Sequence, residues 1–301
     1  MSTLDPGVSV VIPTRGGQVH LRRAIQSALA QVDVQVEVIV VNNGSGDLPA
    51  IHDPRVHFVR SEPEKRGNGA RNRGIALAQY EWVALLDDDD SWEPTKLIKQ
   101  LRTISTAGLN SVDDVIATCQ LVECFPDGTR SSALPLKDPK EIHDAAQYLF
   151  VRDGVRSIRP QLQSSTLLAS TVFARSLPFD ETLALHQDWD WVVRSTDLRQ
   201  ATILHVHEPL VLRTMDVGQS VSSSIRWKAS LAWAETRLAT SSKRVRGDFA
   251  LTVIPGFALA ELDPAALRAA WRWAWSEGRP GLGAIVFFAK TAIRLQRRIA
   301  R

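Results

Sequence analysis

The stretch WVALLDDDD, residues 82–90, decides how this chain is read. Val83, Ala84, Leu85 and Leu86 make a short apolar run closed by a polar break, the pattern of a buried strand. Asp87, Asp88, Asp89 and Asp90 follow at once. Adjacent carboxylates repel one another, so such a run either lies solvated in a loop or gathers around a cation. The segments on either side decide between the two.

Upstream, VSVVIPT (8–14) is a β-branched run stopped at Pro13. HLRRAIQSALAQ (20–31) sets Leu21, Ile25, Ala28 and Leu29 at helical spacing. VEVIVVNNGS (36–45) and RVHFV (55–59) read as strands, and GARNRGIALAQ (69–79) as a helix. Strands that are near-continuous apolar runs, alternating with helices, predict a parallel α/β sheet covered on both faces. Ligands bind such sheets beyond the carboxyl ends of the strands. Thr14-Arg15, Asn42-Asn43 and Asp87–Asp90 each follow a strand, so they converge on one edge. A cleft holding basic, amide and carboxylate groups together suits a metal-bridged anion. The turn PTRGGQVH does not match G-x-G-x-x-G, and no G-x-x-x-x-G-K-[ST] loop occurs, which counts against dinucleotide and P-loop chemistry.

The second half is less regular. DDVIATCQLVEC (113–124), STLLASTVFA (165–174) and ATILHVHEPLVLR (201–213) read as extended, and HQDWDWVVRSTD (186–197) as helical. From about residue 225 the chain turns helical and rich in Ala, Trp and Arg. In AIVFFAKTAIRLQRRIAR (284–301), Lys290, Arg294, Arg297, Arg298 and Arg301 share one sector of a helical wheel. Ile285, Phe288, Ala289, Ala292, Ile293, Leu295 and Ile299 gather on the other side. Such a helix either lies on an anionic membrane surface or docks on this protein or a second copy of it. Trp271, Trp273 and Trp275 cannot all face one way on a helix, so some are exposed or covered by a partner.

The 301 residues allow one large core with appendages or two small domains. A hydrophobic fraction of 44% and a charged fraction of 23% are ordinary for a globular chain. The net charge of +3 permits acidic ligands and does not demand nucleic acid. Cys119 and Cys124 are too few for a disulfide framework or a zinc site, which fits a reducing compartment. MSTLDPGVSVVIP lacks a basic segment followed by an apolar one, and GLGAIVFFA falls far short of the roughly 20 residues of a membrane span. The expectation is a cytoplasmic protein, at most peripheral at the inner face of the membrane.

Four segments carry a resemblance: VSVVIPTRG, VEVIVVNNGSGD, GARNRGIALAQYEWVALLDDDDSWEPTKL and QDWDWVVR. In order and approximate spacing they resemble the family 2 glycosyltransferases over about residues 7–215. The resemblance implies a GT-A fold over residues 1–215. A nucleotide-sugar half (about 1–105) would join an acceptor half (106–215), with a helical extension over 216–301. It also implies inversion at the anomeric carbon and a divalent metal, Mg²⁺ or Mn²⁺. The family's L-D-x-D-D pattern falls on Leu86 to Asp90, which makes Asp89 the implied metal ligand. Asp87 and Asp88 would face ribose, base or metal-bound water. Pro13, Thr14, Arg15 and Asn43 would line the nucleotide pocket, and Arg71 would meet a phosphate or the base. The family's E-D pair before a helix of the form W-x-x-W falls on Gln187-Asp188, with Gln187 in place of the acidic partner, which makes Asp188 the implied general base and Asp190 the runner-up.

Two departures bear on function. Both Asp positions of the family's common DDGS are Asn here, Asn42 and Asn43, and Asn both donates and accepts hydrogen bonds. A UDP-sugar is still favoured, because a uracil N3–H can meet the Asn carbonyl. Many relatives carry a His after an Arg late in the catalytic region. LVLRTMDVGQSVS offers Met215 and Asp216 instead. An inactive nucleotide-sugar-binding or scaffold protein is the alternative to an enzyme, and the presence of Asp89 and Asp188 argues against it. A nucleotidyltransferase would need a Gly-rich basic loop that TRGGQ matches poorly. The implied partners are a nucleotide-sugar donor and an acceptor such as a glycan, a lipid-linked sugar or a small molecule.

Overall fold

The computed structural model describes residues 6–62, 66–135, 141–154, 160–215 and 226–300. β1 (Gly7–Thr14), α1 (Val19–Leu29), β2 (Gln35–Asn42), β3 (Val56–Arg60), α2 (Arg66–Leu77) and β4 (Trp82–Leu85) follow in the order the apolar pattern predicts, and the alternation of strand and helix is broken once, where a loop without a helix joins β2 to β3. β1 pairs in parallel with β2 and β4, and β2 with β3. There follow β5 (Ser91–Trp92), α3 (Lys96–Thr106), β6 (Val115–Cys124), β7 (Glu141–Ile142) and α4 (Ala145–Phe150). A 3-10 turn at Ser164–Thr166 leads into β8 (Leu168–Ser170), α5 (Thr171–Ser176), α6 (Gln187–Arg199) and β9 (Thr202–Thr214).

The sheet is mixed rather than parallel throughout, in the order β3-β2-β1-β4-β8-β6-β9-β5, with β7 on β9. β8 runs antiparallel to both β4 and β6. Its first residue, Leu168, pairs with Ala84 near the carboxyl end of β4, so the chain enters there and runs back down. The turn that precedes β8 is thereby placed beside the Asp run. The expected extended segment 165–174 is broken for a local reason. The Ser170 hydroxyl accepts from the Phe173 amide at 3.1 Å, which caps α5 and ends the strand after three residues.

Two layers of helix cover the parallel part. Val8, Val10, Ile12, Val38 and Val40 pack with Leu21 and Ile25 of α1 and Leu97, Leu101 and Ile104 of α3. On the other face Ile39 and Val41 meet Ala70 of α2. Gly74 lets α2 lie close to β1, since a Cβ there would stand 2.3 Å from Val11 Cγ1.

Lys96 is fully buried at the start of α3. Its Nζ donates to Gln100 Oε1 at 2.8 Å and sits 4.0 Å from the Trp92 ring centroid. Burial lowers its pKa to about 8, against 10.5 in an exposed chain. Below pH 8 the ammonium is charged in both states, so the full cost of burying it falls on the fold. Between 8 and 10.5 the unfolded chain holds more protons than the folded one, so stability rises with pH. Urea melts at pH 7.5, 9 and 10 are expected to show wild type gaining stability relative to Lys96→Met across that window.

The contacts divide the chain into two units, Met1–His143 with Pro160–Val217, and Asp144–Arg159 with Gly218–Arg301. The second contains α4, α7 (Arg226–Arg237), α8 (Lys243–Thr252), α9 (Ile254–Glu261), α10 (Pro264–Ser276) and α11 (Leu282–Ile299). The described residues 144–154 group with the second unit by packing. Phe150 of α4 lies edge-on to Phe249, centroids 5.0 Å apart, and to Trp233 at 6.0 Å. Asp248 is fully buried and accepts from the Arg152 amide, the Gly281 amide and Arg244 Nε at 2.7–2.8 Å.

Trp273 is buried in this unit, whereas Trp271 and Trp275 are each 42% exposed. In α11 the inward face is Ala284, Thr291 and Leu295. Of the apolar side read from the helical wheel, Ile293 and Ile299 stay exposed. Arg301, Asp216 and the serine-rich 218–224 lie outside the described residues. No described helix is long and apolar enough to cross a membrane.

Candidate active site

The Asp run begins where β4 ends. The Leu86 amide donates to Val11 O at 3.0 Å, so the loop leaves the sheet in register with β1. Its backbone is then gripped from two sides. Arg23 Nη2 and Thr214 Oγ1 both donate to the Asp89 carbonyl at 2.6 Å. The Asp87 amide donates to Ser165 Oγ at 3.1 Å. The side chains diverge. Asp87 Oδ1 pairs with Arg71 Nη2 at 2.7 Å, and Asp88 accepts from Thr14 Oγ1. Asp90, 3% exposed, accepts from Ser165 Oγ at 2.6 Å and from the Thr214 amide at 3.1 Å. The run is therefore a partly buried, tethered structure and not a solvated turn.

Crowding shows in the acidities. Burial, followed by Asp87 and Asp88, raises the Asp89 pKa to about 6. Burial, with Asp87 adding to it, raises that of Asp90 to about 8. Burial also raises Asp88, although its bond from Thr14 pulls the other way.

The first turn of α6 is linked to the loop through Arg71. Asp188 Oδ1 accepts from Ser164 Oγ at 2.5 Å and Oδ2 from the Ser164 amide at 3.1 Å. Burial pushes its carboxyl upward, while the Arg71 charge pulls it back. Asp188 does not cap the helix. His186 stands at the N-cap, with φ at 58°. Asp190 is 1% exposed and pairs with Arg194 Nε at 2.7 Å, away from the cavity lining. Trp191 stacks on Phe179 at 5.1 Å and donates Nε1 to Leu177 O, which makes it a core residue. Trp189 stacks on His186 at 4.7 Å. Gln187, in place of an acidic partner, accepts from Arg71 Nη1 at 3.0 Å. Arg71 thus bridges the Asp loop and α6.

The remaining sequence-predicted residues meet at the ends of β1 and β2. The Asn43 amide donates to Thr14 O at 2.9 Å, and the Gly46 amide to Arg15 O at 3.1 Å. Gly44 permits this approach, because a Cβ there would lie 2.3 Å from Arg15 O. Pro13, Thr14 and Asn43 are buried, and Arg15 is exposed.

A cavity of about 420 Å³ brings Asp87, Asp89, Asp90 and Asp188 together with Arg71, and adds Gln163, His186, Gln187, Trp189, Arg213 and Thr214. Pro13, Thr14, Arg15, Asn43 and Asp88 are not among its lining residues, and Thr14 bonds to Asp88 outside it. Sequence reasoning missed Arg23, Ser164, Ser165, Arg213 and Thr214. Arg213 places a cation in the cavity that pulls the Asp89 pKa down. Its only signal is its place in LVLRTMD, beside Met215 and Asp216.

Among the described residues no group of three or more His, Cys, Asp or Glu could hold a metal unaided. Asp89 nevertheless fits a divalent cation. It is a hard oxygen donor on the cavity wall, crowded by other carboxylates. Mg²⁺ commonly takes one or two carboxylates and completes its shell with substrate phosphate and water.

Residues 9–149 match the family model described as Glycosyl transferase family 2. The chain is 29% identical over 239 residues to the amylovoran biosynthesis glycosyltransferase AmsB of Erwinia amylovora, across 74% of this chain and 77% of that protein. It is 39% identical over 108 residues to the succinoglycan biosynthesis protein ExoO of Rhizobium meliloti (strain 1021), across 34% of this chain and 31% of that protein. Among solved structures, S. aureus TarS 1-349 in complex with UDP-GlcNAc has a TM-score of 0.55 at 15% identity. The match covers 98% of this chain and 92% of that one, and is a likeness of fold.

Proposed function

We propose that this chain, which belongs to glycosyl transferase family 2 and is a glycosyltransferase, moves a sugar from a nucleotide donor to an acceptor hydroxyl by one inverting displacement. One observation carries the reading. The Asp loop and Asp188 face the same cavity from separate elements, with Arg71 linking them and Arg213 on the same wall. A single displacement needs a base on the side opposite the departing group, and charge stabilisation where the diphosphate leaves.

Asp188 takes the acceptor proton. Its carboxyl, raised by burial, is a stronger base than an exposed aspartate. Arg71 and Arg213 place positive charge beside the departing diphosphate. Asp89 would hold Mg²⁺ or Mn²⁺, and the bound cation would supply charge that offsets that of the phosphates. Pro13, Thr14, Arg15 and Asn43 receive the nucleoside, and Asp87 and Asp88 border the ribose and the metal's water. A UDP-sugar is favoured. The Asn43 carbonyl suits a uracil N3–H, and TarS, which shares the fold, was crystallised with UDP-GlcNAc. Proton NMR of the transfer product tests the stereochemistry. A product with the anomeric configuration opposite to the donor's supports single displacement, and retention contradicts it.

The surface of α10 and α11 fits an anionic lipid surface. Trp271, Trp275, Ile293 and Ile299 are exposed beside Arg268, Arg272, Lys290, Arg294, Arg297 and Arg298, and α11 carries no acidic residue. Each basic group near an anionic surface contributes about 1 kcal/mol. Flotation is expected with phosphatidylglycerol vesicles, with loss in Trp271→Ala/Trp275→Ala. Failure to float, with a dimer by light scattering that the same variant dissolves, would assign this face to a second copy.

A further inference from the structure

We propose that the Ser164–Thr166 turn positions both sides of the reaction, Ser164 aiming Asp188 and Ser165 fixing the Asp loop. The inference rests on the reading of Asp188 as base.

Neighbouring residues of one turn hold one carboxylate each. Ser164 gives Asp188 two bonds, from its hydroxyl at 2.5 Å and its amide at 3.1 Å, one to each carboxylate oxygen. That fixes the plane of the carboxylate. Ser165 donates its hydroxyl to Asp90 at 2.6 Å and receives the Asp87 amide at 3.1 Å. One hydroxyl thus ties both ends of the Asp loop.

The turn is itself anchored from beneath. Gln100 Nε2 donates to Thr166 O at 2.8 Å and to Ala117 O at 2.9 Å. Thr118 Oγ1 donates to Thr166 Oγ1 at 2.9 Å, and Thr166 Oγ1 to Gln163 O at 2.7 Å. Trp92 Nε1 donates to Ser165 O at 2.8 Å. Ser164, Ser165, Thr166, Gln100 and Thr118 are all fully buried. A buried polar network is worthwhile only when its members are satisfied, and a satisfied one is rigid. The network therefore holds the base and the Asp loop at one separation, which in-line displacement requires. Ser164 and Ser165 are positioning residues.

Arg71 from α2 and Asp87 from the Asp loop act on Asp188 directly, and Asp89, Asp90, His186 and Arg213 share its cavity. Against that background Ser164 favours the ionised carboxylate by hydrogen bonding. In Ser164→Ala, donor affinity in Mn²⁺ is expected to stay within twofold. Turnover is expected to fall about 10–100-fold, and the acid limb of the pH–rate profile to move up by about one pH unit. Ser164→Thr keeps the hydroxyl and is expected to recover most of the turnover. In Ser165→Ala, donor affinity is expected to fall about tenfold with the acid limb in place. Equal losses of affinity and turnover in Ser164→Ala, with an unmoved acid limb, would overturn the assignment.

A readout without turnover separates this inference from the function it rests on. Carbon-13 NMR titration of the Asp188 carboxyl, identified by its loss in Asp188→Asn, should show a higher midpoint in Ser164→Ala than in wild type. An unchanged midpoint would overturn the role of Ser164 even in an active enzyme. A wild-type chain that turns over no nucleotide-sugar would instead remove the proposed function, with the NMR comparison still deciding the Ser164–Asp188 coupling.

Discussion

Asp188→Asn is expected to bind the donor normally and to lose transfer by roughly 10³-fold, the scale on which general bases contribute. The substitution keeps the shape and removes the basic oxygen. Asn can still accept one of the two bonds that Ser164 offers, so the turn before β8 stays in place. It also deletes a partly buried charge that the fold holds at some cost, because burial raises the Asp188 pKa. Stability is therefore expected to be unchanged or slightly higher. Loss of turnover beside an intact melting curve and intact donor affinity would separate a chemical role from a structural one. The check is steady-state kinetics with calorimetric donor titration on the same preparation.

The second large effect is expected at Asp89. Its backbone is held by Arg23 and Thr214, so truncating the side chain leaves the loop's position intact. What is lost is the carboxylate on the cavity wall. A bound divalent cation supplies several kcal/mol of charge stabilisation to a departing phosphate, which is about 10³-fold or more in rate. Asp89→Ala is expected to lose that amount and to be insensitive to Mn²⁺. Asp90→Ala is expected to behave differently, since Asp90 serves Ser165 and the Thr214 amide. Its loss should lower the melting temperature, with Mn²⁺ dependence retained in the folded fraction. The two neighbours are distinguished by melting curves and metal titrations run side by side.

Much of the first half was legible because its strands are near-continuous apolar runs with polar breaks. β1, β2 and β4 and the helices between them follow from that pattern, and so does the gathering of Thr14, Asn43 and Asp87–Asp90 at one edge. The mixed order beyond β4 was not legible. β8 has only three residues, too few for a period to show, and its direction is set by where the chain enters. Asp188 was found through a resemblance, and the structure adds what holds it. Ser164 and Ser165 gave no signal, because serine in an irregular stretch reads as an ordinary loop residue. Their partners are 24 and 75 residues away in the chain. Arg23 and Arg213 looked like surface arginines for the same reason. Their contacts are long-range, and no local pattern encodes them.

The tail shows the limit of a helical wheel. Phase alone divided α11 into a basic sector and an apolar one, yet its inward face is Ala284, Thr291 and Leu295. Leu295 belongs to the apolar sector and is buried, whereas Ala284 and Thr291 let helices approach closely without adding to an apolar moment, so phase alone does not mark them. Ile293 and Ile299 remain exposed, and that exposure is what the vesicle experiment interrogates.

The most direct test of the account is a calorimetric titration of UDP-, GDP-, CMP- and dTDP-sugars into wild type and Asp89→Ala, each in Mn²⁺ and in EDTA. One nucleotide, expected to be the UDP-sugar, should bind wild type in Mn²⁺, and the signal should vanish in EDTA and in Asp89→Ala. Binding of equal strength in all these conditions, or no binding to wild type by any of the four, would contradict it.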